Sequence, residues 1–369
     1  MQSLTRRILL LPEGGHAIPS LDGLRAIAVL FVVLGHSQAW RLRFAFIQPL
    51  RDGGLGVTIF FVISGFLITQ LLLRDLNETG QVRLKRFYIK RAFRIFPPFY
   101  AYLAVVGVLV FLNLDPLPLY SMLSAATFTW NYSLDAEGWR LAHLWSLSLE
   151  EQFYLFWPLC MRFFSKQINL RIAIVAICLA PFIRFFSFKF VPAPAFQEHI
   201  GMMLHSRIDT IMLGCLLALV LDLNLWPKLV SLGAHAAVLL LAAGYMFFAH
   251  AYLFGLYKNL YQFALGITLQ GISALVLVMY STSKPRSPLG ILLNNPLAQF
   301  IGVLSYGVYL WQQSLTGPFT VSFPQNLALI LVCALVSYYF VETPARLVRD
   351  RILRGVGRTS RVADVEQRT

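Results

Sequence analysis

What most limits the fold of this chain is a succession of apolar runs near residues 24–40, 54–73, 97–114, 146–164, 169–187, 208–223, 229–249, 261–281, 299–317 and 326–345. Each is long enough to cross a bilayer as a helix. The expectation is therefore an all-α, polytopic integral membrane protein of about ten transmembrane helices. It is one membrane domain over residues 1–369, with a cytoplasmic N-terminal segment (1–20) and a basic cytoplasmic tail (347–369). Hydrophobic residues make up 57% of the chain and charged residues 13%, with a mean hydropathy of +0.66, which excludes an ordinary soluble domain.

The net charge of +14 raises the possibility of nucleic acid, but its placement argues otherwise. Taking both termini as cytoplasmic, 22 of the 31 Lys and Arg residues fall in inside segments, eight fall outside, and Arg25 lies within the first run. This is the positive-inside asymmetry of a membrane protein, and an even number of spans agrees with it. The start MQSLTRRILLLPEGG has too short an apolar run before Pro12 for a cleavable signal peptide. Cys160, Cys178, Cys215 and Cys333 all lie inside apolar runs and read as packing residues, and no metal-ligating cluster is expected.

Against this apolar background the polar residues stand out. In LDGLRAIAVLFVVLGHSQAW, residues 21–40, Arg25 and His36 are eleven positions apart. Eleven helical steps return to within about 20° of the start, so the two share a face about 16 Å apart along the axis. Ionisable groups in lipid face a bundle interior or a wet cavity, which makes this pair a candidate site.

RLKRFYIKRAFRIF, residues 83–96, carries six Lys and Arg interleaved with aromatic and aliphatic residues, and Pro97-Pro98 is expected to stop its helix at the cytoplasmic interface. Such a helix is a lipid anchor or, because Arg91 and Arg94 project on one side, a cradle for the phosphates of a polyanionic cytosolic donor. GGLGVTIFFVISGFLIT, residues 53–69, has small residues suited to close helix approach, with Ser64-Gly65 in its middle. HLWSLSLEEQFYLFWPL, residues 143–159, places Glu150 and Glu151 at the start of an apolar run, with Trp145 and Ser146 before them and Tyr154 one turn beyond. In HSRIDTIMLGC, Arg207 and Asp209 read as a structural ion pair.

Taken in order, LDGLRAIAVLFVVLGH with its Arg-x10-His spacing, GVTIFFVISGFLIT, the Arg-x-x-Arg of RAFR, WSLSLEEQFYLFWP, RIDTIMLGCLLA, LSYGVYLWQ (304–312) and VETPAR (341–346) resemble the membrane-bound acyltransferase family 3, O-acyltransferases that modify surface polysaccharides, Nod factors and macrolides. The resemblance covers nearly the whole chain and implies a ten-helix membrane enzyme of the bacterial inner membrane. Where the family commonly has His after YLW, this chain has Gln312, and it ends at Thr369 without the extracytoplasmic hydrolase-like domain of some relatives. Final transfer is then expected from the membrane domain itself or with a separate extracytoplasmic partner protein.

The resemblance implies an O-acetyltransferase with no permanently bound cofactor, using acetyl-CoA or another acyl-CoA as donor substrate. The acceptor would be a carbohydrate or lipid-linked glycan; membrane lipids are further partners, and nucleic acid is not. His36 is the candidate base that takes the hydroxyl proton, since an imidazole titrates near neutral pH. Glu150 would orient that imidazole as a carboxylate does in hydrolytic triads. Arg25 would hold a phosphate or a carboxylate, Arg91 and Arg94 the phosphates of coenzyme A, and Ser64, Trp145 and Tyr154 the substrate. A transient acyl group on His36 or on Ser64 is the covalent alternative. From another class, a proton-coupled transporter or exporter could use Arg25, His36 and Glu150 as a relay, although no matching half-sequences with interrupted helices are present.

Overall fold

A computed structural model of the chain describes residues 18–37, 52–134, 138–316 and 324–366. Most of the N-terminal segment and the loop with Asp135 and Glu137 lie outside these. Among the described residues there is no strand. The principal helices are α1 (Pro19–His36), α2 (Gly53–Thr79), α3 (Leu84–Phe111), the short α4 (Leu119–Ala126), α5 (Leu144–Phe163), α6 (Lys166–Phe190), α7 (Leu204–Asp222), α8 (Ile267–Ser283), α9 (Pro296–Thr316), α10 (Gln325–Ser337) and α11 (Thr343–Glu366). Six helical segments are long and apolar enough to cross a membrane: Gly53–Thr79, Leu84–Phe111, Lys166–Phe190, Pro194–Asp222, Ala236–Ser283 and Gln325–Arg354. The long helices α1, α5 and α9, which also carry polar side chains of the site, fall outside that set. The runs at 229–249 and 261–281 share one largely helical stretch, broken at Lys258, where φ is 52°.

Local chemistry sets the helix ends. α2 starts at Asp52, whose carboxylate accepts from the Leu55 amide at 2.9 Å, and stops at Gly80, which takes the left-handed conformation (φ 71°) that a side chain resists. α3 departs from expectation. It runs unbroken through Pro97-Pro98 instead of ending there. The two prolines remove donors from one turn, and Tyr306 Oη of α9 donates to the neighbouring Ile95 carbonyl at 3.1 Å. The basic run and the apolar run are thus one helix, which carries Arg91 and Arg94 up into the bundle.

α1 packs between α2 and α9, and α2 between α1 and α7. These approaches are close because glycines remove the obstructing atom: a Cβ on Gly65 would overlap the Ile211 carbonyl, and one on Gly214 the Val62 carbonyl. Gly65 is therefore a packing residue. α1 and α2 are antiparallel, with Gly53 beside Val32 and His36. At the Arg25 end of the bundle lie the pairs Arg74–Glu78 (2.7 Å), Arg83–Asp75 and Lys166–Asp222 (2.6 Å). At the His36 end, Arg140 pairs with Asp115 at 3.2 Å and Trp139 Nε1 donates to the Gln313 carbonyl at 2.8 Å.

Arg207 and Asp209 do not pair. Two residues apart on a helix they point in different directions. Asp209 is held instead by the fully buried Arg184 of α6, through bonds of 3.0 and 2.9 Å, with Thr268 Oγ1 donating at 2.6 Å. Arg207 turns toward Thr58 Oγ1 at 2.8 Å and lies over the Trp145 and Phe61 rings.

Candidate active site

The polar residues of α1, α2, α3, α5 and α9 form two layers, separated along the α1 axis as Arg25 and His36 are. In the first layer a cavity of about 90 Å³ is lined by Arg25, Ser64, Arg91, Arg94, Glu150 and Tyr306, among others. Ser64 Oγ donates to Glu150 Oε1 at 2.6 Å. Arg91 Nε stands 3.9 Å from Glu151 Oε1, and its guanidinium lies 3.5 Å from the centre of the Tyr154 ring. Arg25 reaches Asp22 at 3.2 Å. Arg94 has no ion pair among the described residues, so its charge is free to meet a ligand.

A second cavity of about 350 Å³ opens at the Arg25 end and shares Arg25, Arg94 and Tyr306 with the first. Arg346 and Arg349 of α11 also line it, facing Asp22 and Glu342. Four guanidinium groups stand against Asp22, Glu342 and, behind the lining, Asp350, which pairs with Arg349 at 2.8 Å, so the funnel into the polar layer is cationic on balance. It suits phosphate oxygens.

The second layer surrounds His36. Its ring meets Trp139 edge-on, with centroids 5.9 Å apart, and lies beside Gln312. Its Nδ1 is buried without a hydrogen-bond partner. His143, directly before α5, is the residue that sequence reasoning missed. It is buried within electrostatic range of His36, and neither ring nitrogen has a hydrogen-bond partner. The Tyr102 and Tyr309 rings enclose it, with centroids at 5.6 and 5.3 Å. Tyr309 Oη donates to the His143 carbonyl at 2.8 Å and bonds Ser146 Oγ, which makes Tyr309 a wall between the cavity and His143. The signal was present in HLWSLSLEEQ. At the edge of an apolar run, however, a histidine reads as interfacial.

The structure thus brings Arg25, Ser64, Arg91, Arg94 and Glu150 together and leaves His36 in the other layer. Glu150 does not orient the His36 ring. It lies seven residues from His143 on α5, about 10 Å along the axis, and bonds Ser64. The side chain facing His36 from α9 is Gln312, at the position that departs from the family pattern. Trp145 packs edge-on against Phe61 and under Arg207, away from the cavity lining, while Tyr154 sits beneath Arg91. No group of three or more His, Cys, Asp or Glu suited to a metal occurs among the described residues.

The site is thus an all-α bundle with an arginine funnel, a half-buried Ser64–Glu150 contact, a half-buried His36 and a buried His143. Residues 18–342 match the family model described as the acyltransferase domain, and the chain belongs to that acyltransferase 3 family. It is 31% identical to a putative O-acetyltransferase of Staphylococcus aureus (strain COL), over 89% of this chain and 57% of that protein. It is also 31% identical to the peptidoglycan O-acetyltransferase OatA of Listeria monocytogenes serovar 1/2a (89% and 56%), and 29% to the O-acetyltransferase OatA of Staphylococcus aureus (strain NCTC 8325; 89% and 57%). The chain spans little more than half the length of these relatives. No solved structure matches it. The family is one of acyltransferases, not of transporters.

Proposed function

We propose that the chain is an O-acetyltransferase of a bacterial inner membrane, with both termini in the cytoplasm, that moves acetyl from acetyl-CoA to a hydroxyl of a glycan. One observation carries this reading: the cationic funnel and the polar cavity share Arg25, Arg94 and Tyr306, giving one path from the basic end of the bundle toward the histidine layer. Donor phosphates would be held by Arg94 with Arg25, Arg346 and Arg349. The separation of Arg25 and His36, about 16 Å by helix rise, is one that an extended pantetheine arm can cover. The acetyl group would then pass Glu150–Ser64 toward Tyr309 and His36.

In the reaction the acceptor oxygen attacks the thioester carbonyl carbon and its proton passes to a ring nitrogen of His36. The C–S bond breaks as the C–O ester forms, and the proton leaves on the coenzyme A thiol. The relatives named for O-acetyl transfer, one of them to peptidoglycan, support the acyl group and a carbohydrate acceptor. Replacing Arg94 by Ala tests the donor path. Losing a charge-assisted hydrogen bond of roughly 1.5–3 kcal/mol should raise the donor KM at least about tenfold and leave the acceptor KM unchanged. An unchanged donor KM would remove the funnel from the reaction.

A further inference from the structure

A third cavity, of about 390 Å³, lies at the side of the bundle between α3 and α5. Its third wall is the turn Thr127–Thr129, which follows α4. That turn reaches the middle of α5: Gln152 Nε2 donates to the Phe128 carbonyl at 2.8 Å and shares bonds of 3.1 and 2.9 Å with Asn131, while Phe128 stacks on Phe99 of α3 at 4.4 Å. Irregular backbone at membrane depth persists where protein buries it or where it lines a cavity. The outer rim is apolar and open to lipid, with Phe96 37% and Leu155 54% exposed.

The inner end is polar. Arg91 and Glu151 line both this cavity and the central one, so the two meet at that pair. Arg91 Nε and Tyr154 Oη are buried without hydrogen-bond partners, and Tyr154 is only 2% exposed. Here a cation and a carboxylate nearly cancel, and the exposed Thr127 and Thr129 add hydroxyls that bond each other at 3.0 Å and the Leu123 and Ser124 carbonyls, leaving their oxygens as acceptors at the rim. Such a mixed set of donors and acceptors fits a neutral, polyhydroxylated group better than an anion.

We propose that this cavity is a lateral binding site for a lipid-anchored polyol, a glycolipid-like amphiphile whose tail lies over Phe96, Phe128 and Leu155 and whose hydroxyls meet Arg91, Glu151 and Tyr154. The assignment of this amphiphile as acceptor rests on the acyltransferase reading above. The acceptor then enters sideways from the bilayer while the donor comes through the funnel. The two routes join at the central cavity beside Glu150–Ser64, from which the reacting groups pass on toward His36.

The test is photolabelling of the full chain in phosphatidylcholine nanodiscs by an alkyl glucoside with a diazirine in its tail. Label should concentrate on peptides carrying Phe96 and Leu155, and should be displaced by unlabelled alkyl glucoside but not by phosphatidylglycerol. Leu155→Trp fills part of the cavity with a larger ring and should cut it by roughly tenfold. If that variant does not accumulate, Ala92→Leu narrows the same cavity from α3 and gives the same reading. Label spread evenly over lipid-facing helices, or equal displacement by phosphatidylglycerol, overturns the site. Because labelling needs no acyl donor, its failure in an active transferase removes only this site. Specific label in a chain that transfers no acyl group contradicts the proposed function instead.

Discussion

His36 and His143 carry different consequences from Arg91 and Arg94. General-base catalysis is worth about 10²–10⁴-fold, so His36→Ala should lower kcat by that order while the protein still inserts. His143→Phe keeps a ring between Tyr102 and Tyr309 and removes both nitrogens. It should cost at least about tenfold in kcat if the pair acts together, and a wild-type rate in a steady-state assay would leave His143 a packing residue. The two arginines, equivalent by spacing, diverge in their surroundings. Arg94→Ala should change donor KM, whereas Arg91→Ala strips Glu151 and Tyr154 of their cationic neighbour and should lower the yield of folded protein, as measured by size-exclusion chromatography. Arg25, Ser64 and Glu150 were legible because a polar residue in an apolar run must face the interior, and Arg91 and Arg94 because their spacing puts them on one side of a basic helix. His143 was not, since the edge of a run carries no such constraint. The partner of Asp209 was equally hidden, because Arg184 sits 25 residues away on another helix.

Between elements, close packing and one buried ion network set the frame that positions the site. Gly65→Val would drive a side chain into the Ile211 carbonyl and separate α2 from α7, displacing Ser64 from Glu150. Loss of both folded yield and activity is expected, while Gly244→Ala, at a position with open space, should be neutral by the same measurements. Arg184→Met leaves the Asp209 carboxylate uncompensated in a fully buried place and should cost about 3–5 kcal/mol. Thermal denaturation in detergent should show the drop, and adding Asp209→Leu should recover part of it. All ten apolar runs proved largely helical, because length and composition suffice for that. The course of α3 through Pro97-Pro98 was not readable, since the neighbours that pack this stretch, Tyr306 on Ile95 and Phe128 on Phe99, come from other parts of the chain.

At the scale of the whole molecule, three cavities converge on one polar centre: the funnel from the basic end, the lateral cavity from the bilayer, and the central cavity that shares residues with both. The account places the end bearing Arg83, Lys166 and Arg349 in the cytoplasm, as the distribution of basic residues expects. The most direct measurement uses sealed vesicles of known orientation and radiolabelled acetyl-CoA supplied to one face, with a glycan acceptor present. The account predicts O-acetyl transfer only when donor is given to the Arg349 face, a donor KM raised at least about tenfold by Arg94→Ala, and a rate abolished by His36→Ala. Equal transfer from donor supplied only at the His36 face, or an undiminished rate in His36→Ala, would contradict it.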